Sequence, residues 1–354
     1  MKKLGVQMFS NHIFRVFTCL IIFFSMIFFP FHLAAQQPNA TVDHESGFYY
    51  TVQKNDTLWD LSQRFSDSAW LWPDLWKDNN QIMNPHRIYP GMRIRLYLQQ
   101  GAESYVDKTA ARWRPRSQRE SESPAELPYY YYSPIDSIGF ISKPPVTPHG
   151  YIFKVKDDKG LISTGDLTYI MQQKDTPYAL GGKYTVYRTL PPLTDKKTRA
   201  RIGKQHYLTG VVEIINKEPR FAIAKVIRSF RAIRIDDLLM PYKKRDPKII
   251  LAASQPGLNG KILLTEEHDS IMATNTVAFI NKGQKDGVEK GQSYNIYYQP
   301  KGKIGQKKKQ DILLTPMTYG SLLVLHTELT TSTVIITGSE KTVYPGATFS
   351  SPTE

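Results

Sequence analysis

Apolar positions in residues 48–98 change their spacing along the segment. They alternate with polar positions over Phe48–Gln53, which predicts a strand. Two stretches with apolar residues three or four positions apart then predict amphipathic helices. Their apolar faces consist of Leu58, Leu61 and Phe65, and of Trp72, Leu75 and Trp76. Alternation returns over Met92–Leu96, so the predicted order is strand, helix, helix, strand.

Polar residues mark the ends of these predicted elements. Asn55 follows the first strand, and asparagine adopts the left-handed conformation more readily than most residues. Asp56 or Thr57 can cap the first helix, and Thr57 and Asp60 have the spacing of a capping box. Pro73 suits the first turn of the second helix.

From about Tyr130 to Phe349 the apolar runs are short and strand-like, with Gly, Pro and Asp between them. No segment there has a long helical stripe. The predicted fold is therefore a small α+β domain followed by a mostly-β region.

The β-rich region aligns with itself at an offset of 110 residues. The matched features are Gly150 with Gly260, Gly181 with Gly291, Gly210 with Gly320, Val211–Ile215 with Ser321–Leu325, and Ala222–Val226 with Ser332–Ile336. This order of turns and apolar runs predicts two tandem β units, residues 130–239 and 240–349. The alternative is a chance match of turn spacing, because identical residues are sparse.

Residues 1–35 have the parts of a secretory signal peptide: a basic start, the apolar run Val16–Phe31, and small residues before Gln36. We expect cleavage after Ala35; the alternative is an uncleaved anchor. The run is short for a membrane span, so we expect no stable span after cleavage. Because the single cysteine, Cys19, lies in this run, the mature chain would contain no disulfide, thiolate metal site or cysteine nucleophile.

The formal net charge of the chain is +14, and removal of Lys2, Lys3 and Arg15 leaves +11. A basic exported protein suits an anionic cell-wall polymer or lipid surface better than nucleic acid. Residues 99–127 are polar and without periodicity, which predicts a flexible charged linker. The basic clusters Lys196–Arg201 and Lys307–Lys309 are either solvated loops or a paired surface for an anionic partner.

Two segments carry a resemblance to a known family: YTVQKNDTLWDLSQRF at 50–65 and NNQIMNPHRIYPGMRIRL at 79–96. They resemble the LysM family, which implies a βααβ fold that binds N-acetylglucosamine-containing glycans, here the peptidoglycan backbone. The resemblance also implies a groove between the turn before the first helix and the segment after the second. The residues at those places are Asn55, Asp56, Thr57, Leu58, Asn80, Gln81, Ile82, Met83 and Asn84.

The tryptophans of this domain have two interpretations. Trp70 and Trp72 are suited to stacking on a sugar ring. A domain this small needs its aromatic residues for burial, so we expect Trp59, Trp72 and Trp76 in the core and leave Trp70 open. The sequence also departs from the family pattern at Asn55, where the family usually has glycine.

The C-terminal region looks similar to that of LysM-containing envelope proteins of Gram-negative bacteria. The segments concerned are YYYYSPIDSIGFI, HYLTGVVEI, IDDLLMPY and AFINKGQKDGVEKGQSYNIY. This similarity implies a periplasmic or envelope location and no particular mechanism.

Catalytic and metal-binding motifs are missing from the sequence. Its mature histidines are widely separated, and no H-x-H, H-E-x-x-H or G-x-S-x-G pattern occurs. We therefore predict a non-catalytic peptidoglycan-binding protein without cofactor, whose β units act as a scaffold or bind another envelope protein. The alternatives are a wall-remodelling enzyme of unrecognised type in the β region, and a structural protein whose LysM domain has lost binding.

Overall fold

The computed structural model describes residues 45–96, 127–173, 177–195, 198–304 and 310–352. The predicted signal peptide, nearly all of the predicted linker, Lys196, Lys197 and Lys307–Lys309 lie outside these ranges. Within the described ranges, no helix has the length and apolar character needed to cross a membrane.

Strands dominate the described residues, as predicted for the C-terminal region. The α-helices are α1 (Leu58–Ser66) and α2 (Trp72–Lys77), and short 3-10 helices span Ala69–Leu71, Ser133–Ser137 and Gln284–Asp286. The strands are β1 (Ser46–Thr51), β2 (Arg93–Leu96), β3 (Tyr129–Tyr132), β4 (Phe140–Ser142), β5 (Gly150–Val155), β6 (Leu167–Gln172), β7 (Lys183–Thr189), β8 (Leu193–Thr194), β9 (Arg201–Lys217), β10 (Ala222–Ser229), β11 (Leu238–Pro241), β12 (Lys248–Ile250), β13 (Asn259–Thr265), β14 (Val277–Ile280), β15 (Ser293–Tyr298), β16 (Lys301–Ile304), β17 (Gln310–Leu313), β18 (Met317–Thr327), β19 (Ser332–Ser339) and β20 (Thr348–Ser350).

The N-terminal module has the predicted order β1, α1, α2, β2. The Thr57 hydroxyl accepts a hydrogen bond from the Asp60 amide at 3.1 Å, so Thr57 caps α1. Asn55 has a φ of 73° in the preceding turn. The predicted apolar face of α1 is buried, and Leu58 and Leu61 are 2% and 1% exposed. Local spacing and capping thus account for this part of the fold.

Two C-terminal strands extend the sheet of this module. The four-stranded sheet has the order β12-β3-β1-β2, and Phe48 of β1 lies opposite Tyr130 of β3. The inward face of this sheet joins a core that includes Ile249 of β12 and Leu323 and Ile335 of the C-terminal region. Residue 130, where the first predicted β unit begins, therefore lies in a strand of the N-terminal sheet.

The remaining strands form two closed rings. In the first ring, β5, β6, β10, β9, β7 and β11 pair in this order, and β11 pairs with β5 to close it. In the second ring, β13, β14, β19, β18, β15 and β20 form a closed barrel. Strands β4 and β8 add to β9 of the first ring, and β16 pairs with β17.

The two rings have the same strand order, and β10 and β19 occupy equivalent bounds at an offset of 110 residues. Positive φ angles also recur at this offset. The residues concerned are Asp158 and His268, Gly165 and Asn275, Gly181 and Gly291, and Asp236 and Gly346. Turns of the same handedness thus occupy matching places in both rings.

A buried charged cluster joins the rings. Glu266, which follows β13 of the second ring, lies 3.2 Å from the guanidinium of Arg231, which follows β10 of the first. The Gln205 side chain donates a hydrogen bond to the Glu266 carbonyl oxygen at 2.9 Å. Burial raises the pKa of the Glu266 carboxyl, while Arg231 and the Gly139 amide favour its charged form. These contacts hold the rings in one arrangement.

His206 of β9 gives the fold a pH-dependent element. Its ring is fully buried and stacks on Phe140 at 4.6 Å between centroids. Nε2 accepts a hydrogen bond from the Val146 amide at 3.1 Å, so the ring is neutral. Its Nδ1 has no hydrogen-bond partner among the described residues. Burial lowers the pKa of His206 below its ordinary value of 6.5, although the Glu328 carboxylate opposes this shift.

We expect the free energy of unfolding to fall as the pH drops below 6.5, because the unfolded chain then takes up a proton at His206 that the folded chain does not. His206→Gln should remove part of this slope. Urea titrations from about pH 7 to pH 5 measure it. Identical slopes for both proteins would show that His206 does not contribute.

Candidate functional site

A groove of about 380 Å³ lies beside the start of α1. One wall is Asp56–Trp59, the residues that enter and begin the helix. The Asp56 carboxylate accepts hydrogen bonds from the Tyr50 hydroxyl at 2.9 Å and from the Gln53 amide at 2.7 Å. Burial raises the pKa of the Tyr50 hydroxyl, and the Asp56 charge raises it further. These bonds fix the turn and keep this wall in place.

The opposite wall consists of Trp72 from the start of α2 and Pro85, His86 and Ile88 from the segment after it. The rings of Trp72 and His86 lie 6.1 Å apart. The Asn84 side-chain oxygen accepts the His86 amide at 2.9 Å, which shapes the turn that carries His86. An aromatic and aliphatic wall therefore faces the polar groups of Asp56 and Thr57.

The structure brings together only part of the predicted site. Asp56, Thr57 and Leu58 line the groove, and Asn55 precedes them in the turn. The predicted second half, residues 80–84, does not line it. Ile82 is 3% exposed and belongs to the core, and its carbonyl oxygen accepts the Trp76 indole N–H at 2.6 Å. Asn80, Met83 and Asn84 are exposed outside the groove lining.

Gln81 lies in a second hollow, on the side of the module formed by β1 and β2. This hollow of about 530 Å³ is lined by Glu45, Tyr49, Asp78, Asn79, Gln81, Met92, Arg93 and Arg95. Its charged groups already have partners, since Arg93 forms an ion pair with Glu45 and stacks over Tyr49 at 4.1 Å. Asn79 is buried, and its side chain accepts the Arg95 amide at 2.7 Å. The hollow is a structural joint between α2 and β2.

The expected core position of Trp59 is wrong. Trp59 follows the buried Leu58, so it lies about 100° further around α1. It is 43% exposed and lines the groove. Trp72 and Trp76 pack against the core, as expected, and Trp72 also lines the groove. Helical spacing beyond Leu58, Leu61 and Phe65 was the signal that placed Trp59 outside the core.

The groove has the chemistry of a sugar site. Sugar-binding clefts combine apolar ring surfaces with a few hydrogen-bonding groups, and this groove offers indole and imidazole rings beside a hydroxyl and a carboxylate. Among the residues that the structure describes, no group of three or more His, Cys, Asp or Glu side chains is placed to hold a metal ion.

Comparison with known proteins identifies the module around this groove. The LysM domain family model matches residues 50–96, so this segment is a LysM domain. The chain is also similar to the Uncharacterized protein YqbP of Bacillus subtilis (strain 168), with 37% identity over 57 residues. That match covers 13% of this chain and 26% of the relative, so the chain spans about a quarter of the relative's length.

Proposed function

We propose that this chain is a non-catalytic peptidoglycan-binding protein of the cell envelope, exported by its N-terminal segment. The LysM domain at residues 50–96 implies binding to N-acetylglucosamine-containing glycan. The observation that carries the proposal is the groove between Asp56–Trp59 and Pro85–Ile88, whose rings and polar groups suit a sugar with an acetamido group. The positive charge of the chain favours an anionic cell wall.

We further propose that the two rings are copies of one β unit and act as a scaffold that presents the groove or binds another envelope protein. Their equal strand order and the recurrence of positive φ angles at the 110-residue offset support this duplication. Turn spacing alone does not require the same strands to pair. The core shared by the LysM domain and the second ring supports a fixed position of the groove on this scaffold.

Substitution of groove residues should weaken binding of the chain to purified sacculi. His86→Ala removes an exposed ring from the groove wall, and we expect the dissociation constant to rise by about threefold to tenfold, the equivalent of one ring contact. Co-sedimentation of the full chain without residues 1–35 measures this. Point variants are preferable to deletion of the domain, because deletion would open the shared core.

Met83→Ala is the matched control, because Met83 is 96% exposed in the same segment and lies outside the groove lining. It should bind sacculi like the unaltered chain. If Met83→Ala weakens binding and His86→Ala does not, residues 80–84 form the ligand wall and the groove described above is not the site. If the unaltered chain does not sediment with sacculi, the proposed function is wrong.

A further inference from the structure

Two exposed indole rings continue the groove wall outward. Trp70, in the 3-10 helix Ala69–Leu71, is 78% exposed, and Trp59 is 43% exposed. Their ring centroids are 4.9 Å apart with an angle of 74° between the planes. Trp59 also belongs to the groove lining, so this pair, which we call the aromatic shelf, is continuous with the groove.

Core packing does not explain the shelf. The short segment between α1 and α2 is anchored by its neighbour Ala69, which is 7% exposed. A polar side chain at position 70 would leave this anchor intact. Adjacent exposed aromatic residues beside a cleft are typical of an interaction surface, whereas isolated exposed apolar residues are common.

The backbone that carries Trp70 is held in place before any ligand binds. The Ser62 hydroxyl donates a hydrogen bond to the Ser68 carbonyl oxygen at 2.9 Å. The Ala69 amide donates one to the Gln63 side-chain oxygen at 3.2 Å. Both bonds tie the turn to α1, which also carries Trp59. Because the shelf is positioned in advance, its contact with a ligand has a small ordering cost.

We propose that the aromatic shelf is an additional sugar subsite, which takes a pyranose ring next to the one held in the groove. The proposal rests on the proposed function of the groove. The shelf itself is formed by two uncharged indole rings, and it offers flat faces for the C–H face of a neutral N-acetylated sugar. Its continuity with the groove makes the next unit of the same glycan the occupant. The domain should therefore bind longer glycans more tightly than short ones.

Titration calorimetry with N-acetylglucosamine oligomers tests this on the chain without residues 1–35. The unaltered chain should bind a pentasaccharide more tightly than a disaccharide. Trp70→Ala should leave disaccharide affinity nearly unchanged and weaken pentasaccharide binding by about threefold to tenfold, the loss of one stacking contact. Trp70→Phe, which keeps a ring, should restore much of the difference.

Tyr89→Ala is the matched control, since Tyr89 is 60% exposed in the same domain and is outside both groove and shelf. It should bind both oligomers like the unaltered chain. The shelf proposal is overturned if Trp70→Ala weakens both lengths equally or neither. If the unaltered chain binds neither oligomer, the groove is not a glycan site and both proposals fail together.

Discussion

Tyr130→Ala should lower the free energy of unfolding by about 3–5 kcal/mol and should loosen the LysM domain, although residue 130 lies outside it. Tyr130 is 2% exposed, and its ring contacts Phe48 of β1 at 4.8 Å. Its strand lies between β1 and β12, so the substitution opens a cavity where the LysM domain meets the C-terminal region. Large cavities of this kind relax only in part, which explains the expected cost.

Tryptophan fluorescence during urea unfolding measures this effect, because four of the five tryptophans lie in the LysM domain. Tyr131→Ala is the control on the same strand. The Tyr131 side chain is on the opposite face of the sheet, where the Arg93 guanidinium lies 4.8 Å from its ring. We expect its loss to cost about 1 kcal/mol. If the fluorescence transition of Tyr130→Ala is unchanged, the LysM domain is stable without the C-terminal strands.

Gly291→Ala should destabilise the chain by about 2–5 kcal/mol, and Gly181→Ala by only about 1–2 kcal/mol. Both glycines have left-handed backbones, with φ angles of 91° and 72°, and the sequence alignment treats them as equivalent. A Cβ at Gly291 would collide with the carbonyl oxygen of Ile250, whereas a Cβ at Gly181 would meet no atom within 4 Å. Both changes strain the backbone, and the first also displaces the chain after β12.

Urea unfolding followed by circular dichroism gives both values under the same conditions. Gly291→Ala should also shift the tryptophan fluorescence transition, because Ile250 is in the strand that extends the LysM sheet. Gly181→Ala leaves that strand untouched. Equal losses in the two variants would mean that the backbone near Ile250 moves aside at little cost, and that the contact does not hold β12 in place.

Local sequence features determined the elements of the LysM domain. The spacing of Leu58, Leu61 and Phe65 and the cap at Thr57 specify α1 without reference to distant residues. The left-handed turn at Asn55 is a property of its own side chain and backbone. The first groove wall follows from these features, because it is the entry to this helix. In the same way, the offset of 110 residues predicted where turns would recur in the C-terminal region.

Only the tertiary structure decided which surfaces meet. Alternation along Tyr129–Tyr132 predicts a strand with one buried face, but it does not say which strand lies beside it, since strand pairing depends on residues far apart in sequence. The structure pairs this strand with β1 of the LysM domain, so the two regions share a core. It also forms the second groove wall from residues 85–88 rather than 80–84, because Ile82 is drawn into the core. Periodicity specifies that a face is buried, whereas the partner of that face depends on the packing of the whole chain.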